Sequence, residues 1–360
     1  MKKNYFCFIN ICLAAILFSC NPKQSSDKKA DSSSYTYKSS YKAPSFVNDD
    51  RIEKIKKIAP EIEKLIEEHA KKNNLPGVAY GIVVDNELVL SSATGFINLE
   101  KETPATPLSA FRIASMTKSF TSMAIIKLRD DGKLALSDYV SKYIPEMRKL
   151  KYLTKDAPII TIENLLTMTA GFPEDNPWGD RQLHESDKML LDLIANGVSF
   201  SNPSSHGYEY SNTGYALLGY IISRVSGIPF QEYIKTNIFD PLGMKHTYWE
   251  FNNVPKEELV VGYRWEEKQW KLEPMLHDGA YGAMGGLITS IEDFSKYVSF
   301  HLSAWPSRND EDTGPIKRSS LREMQTPQFS RLYAKANDFS DKPCPVIAGY
   351  GYGLSISTYC

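Results

Sequence analysis

Phe111-Arg112-Ile113-Ala114-Ser115-Met116-Thr117-Lys118 leads into the apolar run Met123-Ala124-Ile125-Ile126. It reads as a strand-like segment passing into an amphipathic helix that ends at Asp130-Asp131-Gly132. A serine at that junction has an unusual opportunity. A hydroxyl is a poor nucleophile at neutral pH and needs a base within hydrogen-bond reach and donors for the oxyanion. If Ser115 opens the helix, Lys118 lies at i+3 on the same face, and the free amides of the first turn can receive developing negative charge. Spacing alone is not diagnostic, because Ser-x-x-Lys recurs at Ser25–Lys28, Ser26–Lys29 and Ser39–Lys42. Those copies lie in a polar stretch with no core beside it.

The chain has 360 residues, 42% hydrophobic and 24% charged, with a formal net charge of -1. That composition allows a sizeable core and gives no basic field for nucleic acid. No Cys/His spacing suggests a metal, no glycine loop suggests a phosphate, and no organic cofactor is called for.

Lys2 and Lys3 precede the apolar stretch Tyr5 to Phe18, too short for a confident membrane span, so residues 1–20 are expected to be a signal peptide. Leu17-Phe18-Ser19-Cys20 resembles a bacterial lipoprotein box in which Cys20 would carry lipid; a plain secretory signal with an incidental cysteine is the alternative. Either places the mature protein outside the cytoplasm, in the cell envelope. Residues 21–50 carry little to bury and are expected to be a flexible linker. Cys344 and Cys360 are the remaining thiols, either paired or unrelated.

From residue 51 the pattern becomes that of a folded domain, expected to run to 360. Ile52, Ile55, Ile58, Ile62, Leu65 and Ile66 give one buried helical face, and Pro60 kinks or divides that helix. Val78–Val84 and Glu87–Ser92 flank Asp85-Asn86 as a hairpin. Helices are expected over Thr161–Thr169, Thr213–Val225 and Ile291–Leu302, the last capped by Thr289-Ser290. Arg308–Pro315 reads as a solvated connection.

Tyr208-Glu209-Tyr210-Ser211-Asn212-Thr213-Gly214 places Tyr210 and Asn212 in a loop just before a helix. With Ser115-x-x-Lys118 about a hundred residues earlier, this resembles the serine beta-lactamase and penicillin-binding protein superfamily, and Tyr-x-Asn is similar to the class C branch. Leu165-Leu166-Thr167-Met168-Thr169-Ala170-Gly171-Phe172, Phe239-Asp240-Pro241-Leu242-Gly243-Met244 and Gly285-Gly286-Leu287-Ile288-Thr289-Ser290 resemble further family segments in family order. The resemblance implies an α+β fold: an antiparallel sheet flanked by helices, plus a mostly helical lobe. It also implies that Ser115 forms an acyl-enzyme, that Lys118 and Tyr210 share the work of the base, and that Asn212 orients Lys118 and binds the substrate's amide. A nearby ammonium should then draw the Tyr210 phenol down from its usual value near 10.

The family's third box, a Lys-Thr-Gly or His-x-Gly on a late strand, is not found. His277-Asp278-Gly279 has the letters but precedes Gly285-Gly286-Leu287, and is read as a loop coincidence. Gly349-Tyr350-Gly351-Tyr352-Gly353-Leu354-Ser355 resembles the lead-in to that strand, so late sheet strands are expected to be missing and the chain to fold incompletely or hydrolyse poorly alone. The implied activity is a monomeric serine hydrolase acting on a beta-lactam, a D-amino-acid peptide or a small ester. The rival is a non-catalytic envelope lipoprotein that binds cell-wall fragments or a protein partner through the same cleft. A classical α/β hydrolase is disfavoured because no Gly-x-Ser-x-Gly elbow is present.

Overall fold

A computed structural model describes residues 40–46, 49–176, 178–337 and 343–359, with the side chains of 331–337, 343–345 and 359 left aside. The expected signal peptide, the expected lipidation site Cys20, most of the expected linker and Cys360, and with it the possible Cys344–Cys360 pair, lie outside the described residues. Among the described residues no helix is long and apolar enough to cross a membrane. The elements belong to a compact unit, Lys42–Cys360.

In chain order the helices are α1 (Arg51–Lys57), α2 (Ala59–Lys72), α3 (Thr117–Asp130), α4 (Ile162–Leu166), α5 (Asp187–Asn196), α6 (Asn212–Ser226), α7 (Phe230–Ile234), α8 (Asp240–Leu242), α9 (Gly282–Gly285), α10 (Ile291–Leu302) and α11 (Arg318–Met324). The strands are β1 (Gly77–Val84), β2 (Glu87–Asn98), β3 (Thr103–Pro104), β4 (Phe111–Arg112), β5 (Thr247–Tyr248), β6 (Tyr263–Glu266), β7 (Gln269–Leu272), β8 (Ile288–Thr289), β9 (Phe329–Asn337), β10 (Pro343–Tyr350) and β11 (Ser355–Tyr359). They form antiparallel sheets in the orders β1-β2-β3, β4-β8-β5, β6-β7 and β11-β10-β9. This is the mixed α+β architecture expected, with the antiparallel strands divided among several small sheets. The late part of the chain is not bare of strands: β9, β10 and β11 pair with one another up to Tyr359.

The core is a helical stack centred on α3. Every α3 residue from Thr117 to Ile126 is buried, so this helix is enclosed on all sides rather than amphipathic. Its buried hydroxyls are spent locally: Ser119 Oγ donates to the Met116 carbonyl and Thr121 Oγ1 to that of Ala283, while Ser122 Oγ pairs with Tyr215 Oη. α6 and α9 pack against α3. Gly219 makes that fit possible, since a Cβ there would stand 2.5 Å from the Cβ of Ala283.

Around this stack the sequence signals hold locally. Asp85 and Asn86, at φ 50° and 71°, form the tight turn between β1 and β2. Thr161 and Asn164 build a reciprocal capping box, although α4 stops at Leu166, short of the expected Thr169. Ser290 caps α10 by accepting from the Asp293 amide. The helix after residue 51 divides at Ile58, one residue before Ala59-Pro60. Its apolar face is only half covered, with Ile58 and Leu65 at 48% and 65% exposure, because it rests on β1 and β2 with no second layer above it among the described residues. The connection 308–315 is largely exposed, as expected of a solvated loop, and its Asp310 and Asp312 bind the buried Arg318 at 2.9 Å each. His277-Asp278-Gly279 lies in irregular chain, and His277 pairs with Glu250.

Candidate active site

Ser115 sits in a single 3-10 turn, Ala114–Met116, that feeds α3, so the α-helix proper begins two residues later than expected. Ala114 has φ 45°, a left-handed conformation that costs an alanine about 1–2 kcal/mol. The turn is pinned by Ile113 N–H to the Leu287 carbonyl at 3.0 Å and Met116 N–H to the Ile113 carbonyl at 3.2 Å. This reversal leaves Ser115 and Met116 exposed while Thr117 and Lys118 turn inward. The serine and the lysine therefore meet across one helical turn, the serine exposed and the lysine buried.

Lys118 is 1% exposed. Its Nζ lies 2.7 Å from the Met284 carbonyl, 2.8 Å from Asn212 Oδ1 and 3.1 Å from Ser115 Oγ. Burial lowers its pKa from 10.5 to about 7, against the partly compensating fields of Asp180 and Asp175. At neutrality much of it is a free amine, with two hydrogens and one lone pair. The Met284 carbonyl and Asn212 Oδ1 can only accept, so they take both hydrogens, and the lone pair is left for the Ser115 hydroxyl proton.

Tyr210 Oη approaches Ser115 Oγ at 2.6 Å. Burial pushes this phenol above its usual value, with the Ser115 hydrogen bond opposing and Asp180, Asp175 and Glu174 adding to the rise. That reverses the expected fall: the phenol is itself desolvated, and the carboxylates near it disfavour a phenolate. Tyr210 is therefore a neutral donor in the resting site. Lys118 Nζ stands 4.9 Å from the centre of its ring.

Asn212 is wholly buried. Its Oδ1 holds Lys118 as expected, while its Nδ2 donates to Asn176 Oδ1, so both ends of the amide are committed inside the protein. The second Nδ2 hydrogen is the one that the expected contact with a substrate amide would use. The structure thus brings together all four residues singled out from the sequence, with Asn212 behind the lysine.

Other parts were missed. Asp175 receives the backbone amides of Asn212 and Thr213 at 2.7 and 2.8 Å, together with the Thr213 hydroxyl, and so fixes the start of α6. A carboxylate at a helix N-terminus is favourable on its own account. Glu174-Asp175-Asn176, just after Gly171-Phe172-Pro173, is the signal that could have revealed it. The Met284 carbonyl had none, being backbone in α9. Gly353, φ 74°, passes so close to α3 that a Cβ would meet Ser122 Oγ at 2.6 Å and the Lys118 carbonyl at 2.8 Å. Beside the nucleophile opens a recess of about 620 Å³ walled by Ser115, Tyr210, α10 and the β10–β11 turn. Among the described residues no group of acidic, histidine and cysteine side chains is arranged to hold a metal ion.

Comparison with known proteins agrees with this geometry. Residues 62–359 match the family model described as beta-lactamase. Protein flp of Staphylococcus aureus strain MW2 is 32% identical over 247 residues, 68% of this chain and 49% of that protein. Beta-lactamase-like protein 2 of Dictyostelium discoideum is 31% identical over 267 residues, 72% of this chain and 48% of that protein. The chain thus spans about half the length of these curated relatives. Among solved structures, the octameric penicillin-binding protein homologue from Pyrococcus abyssi superposes with TM-score 0.64 at 29% identity, covering 83% of this chain and 65% of that one. The penicillin-binding protein from Bacillus halodurans shares the fold at TM-score 0.54 and 24% identity, over 79% of this chain and 85% of that one. With a family model spanning most of its length and a Ser-Lys-Tyr constellation assembled at its centre, the chain belongs to the beta-lactamase family.

Proposed function

We propose that the protein is a serine hydrolase that passes through an acyl-enzyme on Ser115. The observation that carries this reading is the triple contact of Lys118, whose two acceptor partners aim its lone pair at Ser115 Oγ. In acylation the Ser115 proton moves to Lys118 Nζ as Oγ bonds to the substrate carbonyl carbon. The amide of Ser115, at the start of its turn, would supply a donor to the oxyanion. Tyr210 Oη–H then protonates the departing amine or alcohol, leaving an ammonium beside a phenolate. In deacylation that phenolate takes a proton from water, the hydroxide attacks the acyl carbon, and Ser115 Oγ leaves with the proton held by Lys118. Protons and charges close over the cycle, and the base's work is shared by Lys118 and Tyr210, in this proposal lysine for the first half and tyrosine for the second. The fluorescent penicillin and fluorophosphonate labels decide the matter. A covalent adduct with one of them, lost in Ser115→Ala, is expected; no Ser115-dependent adduct with either would refute the hydrolase reading.

The same proposal places the mature protein on the envelope, tethered through Cys20. Lys2-Lys3, the apolar stretch to Phe18 and the Leu17-Phe18-Ser19-Cys20 box support it. Metabolic labelling with a palmitate analogue should mark the protein in its bacterial host and fail to mark Cys20→Ser.

A further inference from the structure

The recess beside Ser115 differs from the rest of the site in chemistry. Phe294, Val298 and Leu302 of α10, Trp305 beyond it, and Leu354 after the β10–β11 turn give it an apolar wall. Three large apolar side chains, Met116, Leu302 and Trp305, ring its mouth at 51%, 45% and 56% exposure. Apolar surface gathered in the open beside a nucleophile is costly unless something covers it.

The wall is fixed in place. Trp305 Nε1–H donates to Gln325 Oε1 at 2.7 Å, and the Arg322 guanidinium lies 5.5 Å from the Trp305 ring centre. That bond sets the Gln325 amide, so its Nε2 faces His301, donating to the carbonyl at 2.9 Å and to Nδ1 at 3.2 Å. His301 Nδ1 is then an acceptor and its proton sits on Nε2. Burial drops the His301 pKa to about 4, so the ring is uncharged at working pH. Lys118 is the only other ionisable cation on the recess wall among the described residues, and its hydrogens are committed elsewhere. A carboxylate entering here would lose its hydration without gaining a counter-charge.

We infer that this recess binds the acyl half of the substrate, and that the acyl group it takes is uncharged and apolar, an alkyl or aryl-alkyl chain of several carbons. Ser115 is one of its lining residues, so a carbonyl bonded to Oγ would direct its substituent along α10 toward Trp305. The inference rests on the hydrolase reading above and narrows it to one substrate class: esters or amides of apolar carboxylic acids.

The test compares p-nitrophenyl acetate, butyrate and octanoate with the full chain. The leaving group is constant and the acetate is intrinsically the most reactive, so a rise in kcat/KM with chain length reports acyl binding. Octanoate is expected to exceed acetate by about ten-fold or more. In Leu302→Asp, whose exposed side chain has no hydrogen bond to lose, and in Trp305→Ala, which gives up the bond to Gln325, that ratio should fall toward one. Ser115-dependent turnover with a flat or acetate-favouring ratio overturns the inference and leaves the hydrolase reading intact. An octanoate preference that survives both substitutions overturns the assignment to this recess. Absence of Ser115-dependent turnover of all three esters removes the hydrolase reading and the inference with it.

Discussion

Lys118 has to be neutral to act, and its surroundings impose that neutrality by excluding water. Activity should therefore rise with pH on an acid limb near 7, as the amine loses its proton. Asp180 is the largest of the charges holding that proton on, and its side chain is exposed. Asp180→Asn should move the acid limb to lower pH with little loss of maximal rate, read from the pH profile of kcat/KM. Stability follows the same group with the opposite emphasis. A lysine whose folded pKa is depressed binds fewer protons folded than unfolded between about 7 and its ordinary 10.5, so stability rises with pH across that window. Lys118→Met does not titrate, so its Tm relative to the unmodified protein should climb as pH falls from about 10 to about 7. Tyr210 gives a third check. A p-nitrophenolate leaving group needs no proton, so Tyr210→Phe should still acylate, releasing about one equivalent in a burst, and then stall at deacylation. Ser115, Lys118, Tyr210 and Asn212 were legible in the sequence because their chemistry resides in side chains at telling intervals. The sign of the Tyr210 shift was not, since it depends on how deeply the phenol itself is buried.

At the scale of elements, the site depends on two contacts that hold α3 and α6 in register. Asp175 caps α6 through three hydrogen bonds and so aims Asn212 at Lys118. Asp175→Ala should cost about 1–2 kcal/mol in denaturant unfolding and reduce kcat more than it raises KM, because the amide behind the lysine loosens while the recess is untouched. Gly353 is the second contact. An alanine there would carry a left-handed φ and drive its methyl into α3, a loss of about 2 kcal/mol or more. Helices were readable where a cap or stop was local, as at Thr161, Ser290 and Gly227. The contribution of α9 was hidden, because what Gly282–Gly285 supplies is the backbone carbonyl of Met284, which any residue would provide.

Across the whole molecule, burial is uneven. α3 and α6 are almost wholly enclosed, whereas Ala70 is the one buried residue of α1 and α2, and β1 carries none. Amide hydrogen exchange should find the slowest sites in α3 and α6, and residues 51–84 should open first. Sequence patterning identified the helices after residues 51, 117, 161, 212 and 290 and the hairpin, but not α5 or α11, and the fold class came from the resemblance that the order of motifs carried. It did not show how the strands divide among sheets, since a short strand such as Phe111–Arg112 or Ile288–Thr289 has too few residues to display an alternating pattern. The wedge at Gly353 also has a consequence in time. The turn that seals α3 is encoded more than two hundred residues after the serine it serves. A ribosome adding about 5–20 residues each second needs roughly ten to fifty seconds to cover that distance. Through that interval the newborn chain carries Ser115, Lys118 and finally Tyr210 without the turn that packs against α3, so the site is not clamped until residue 353 has been added.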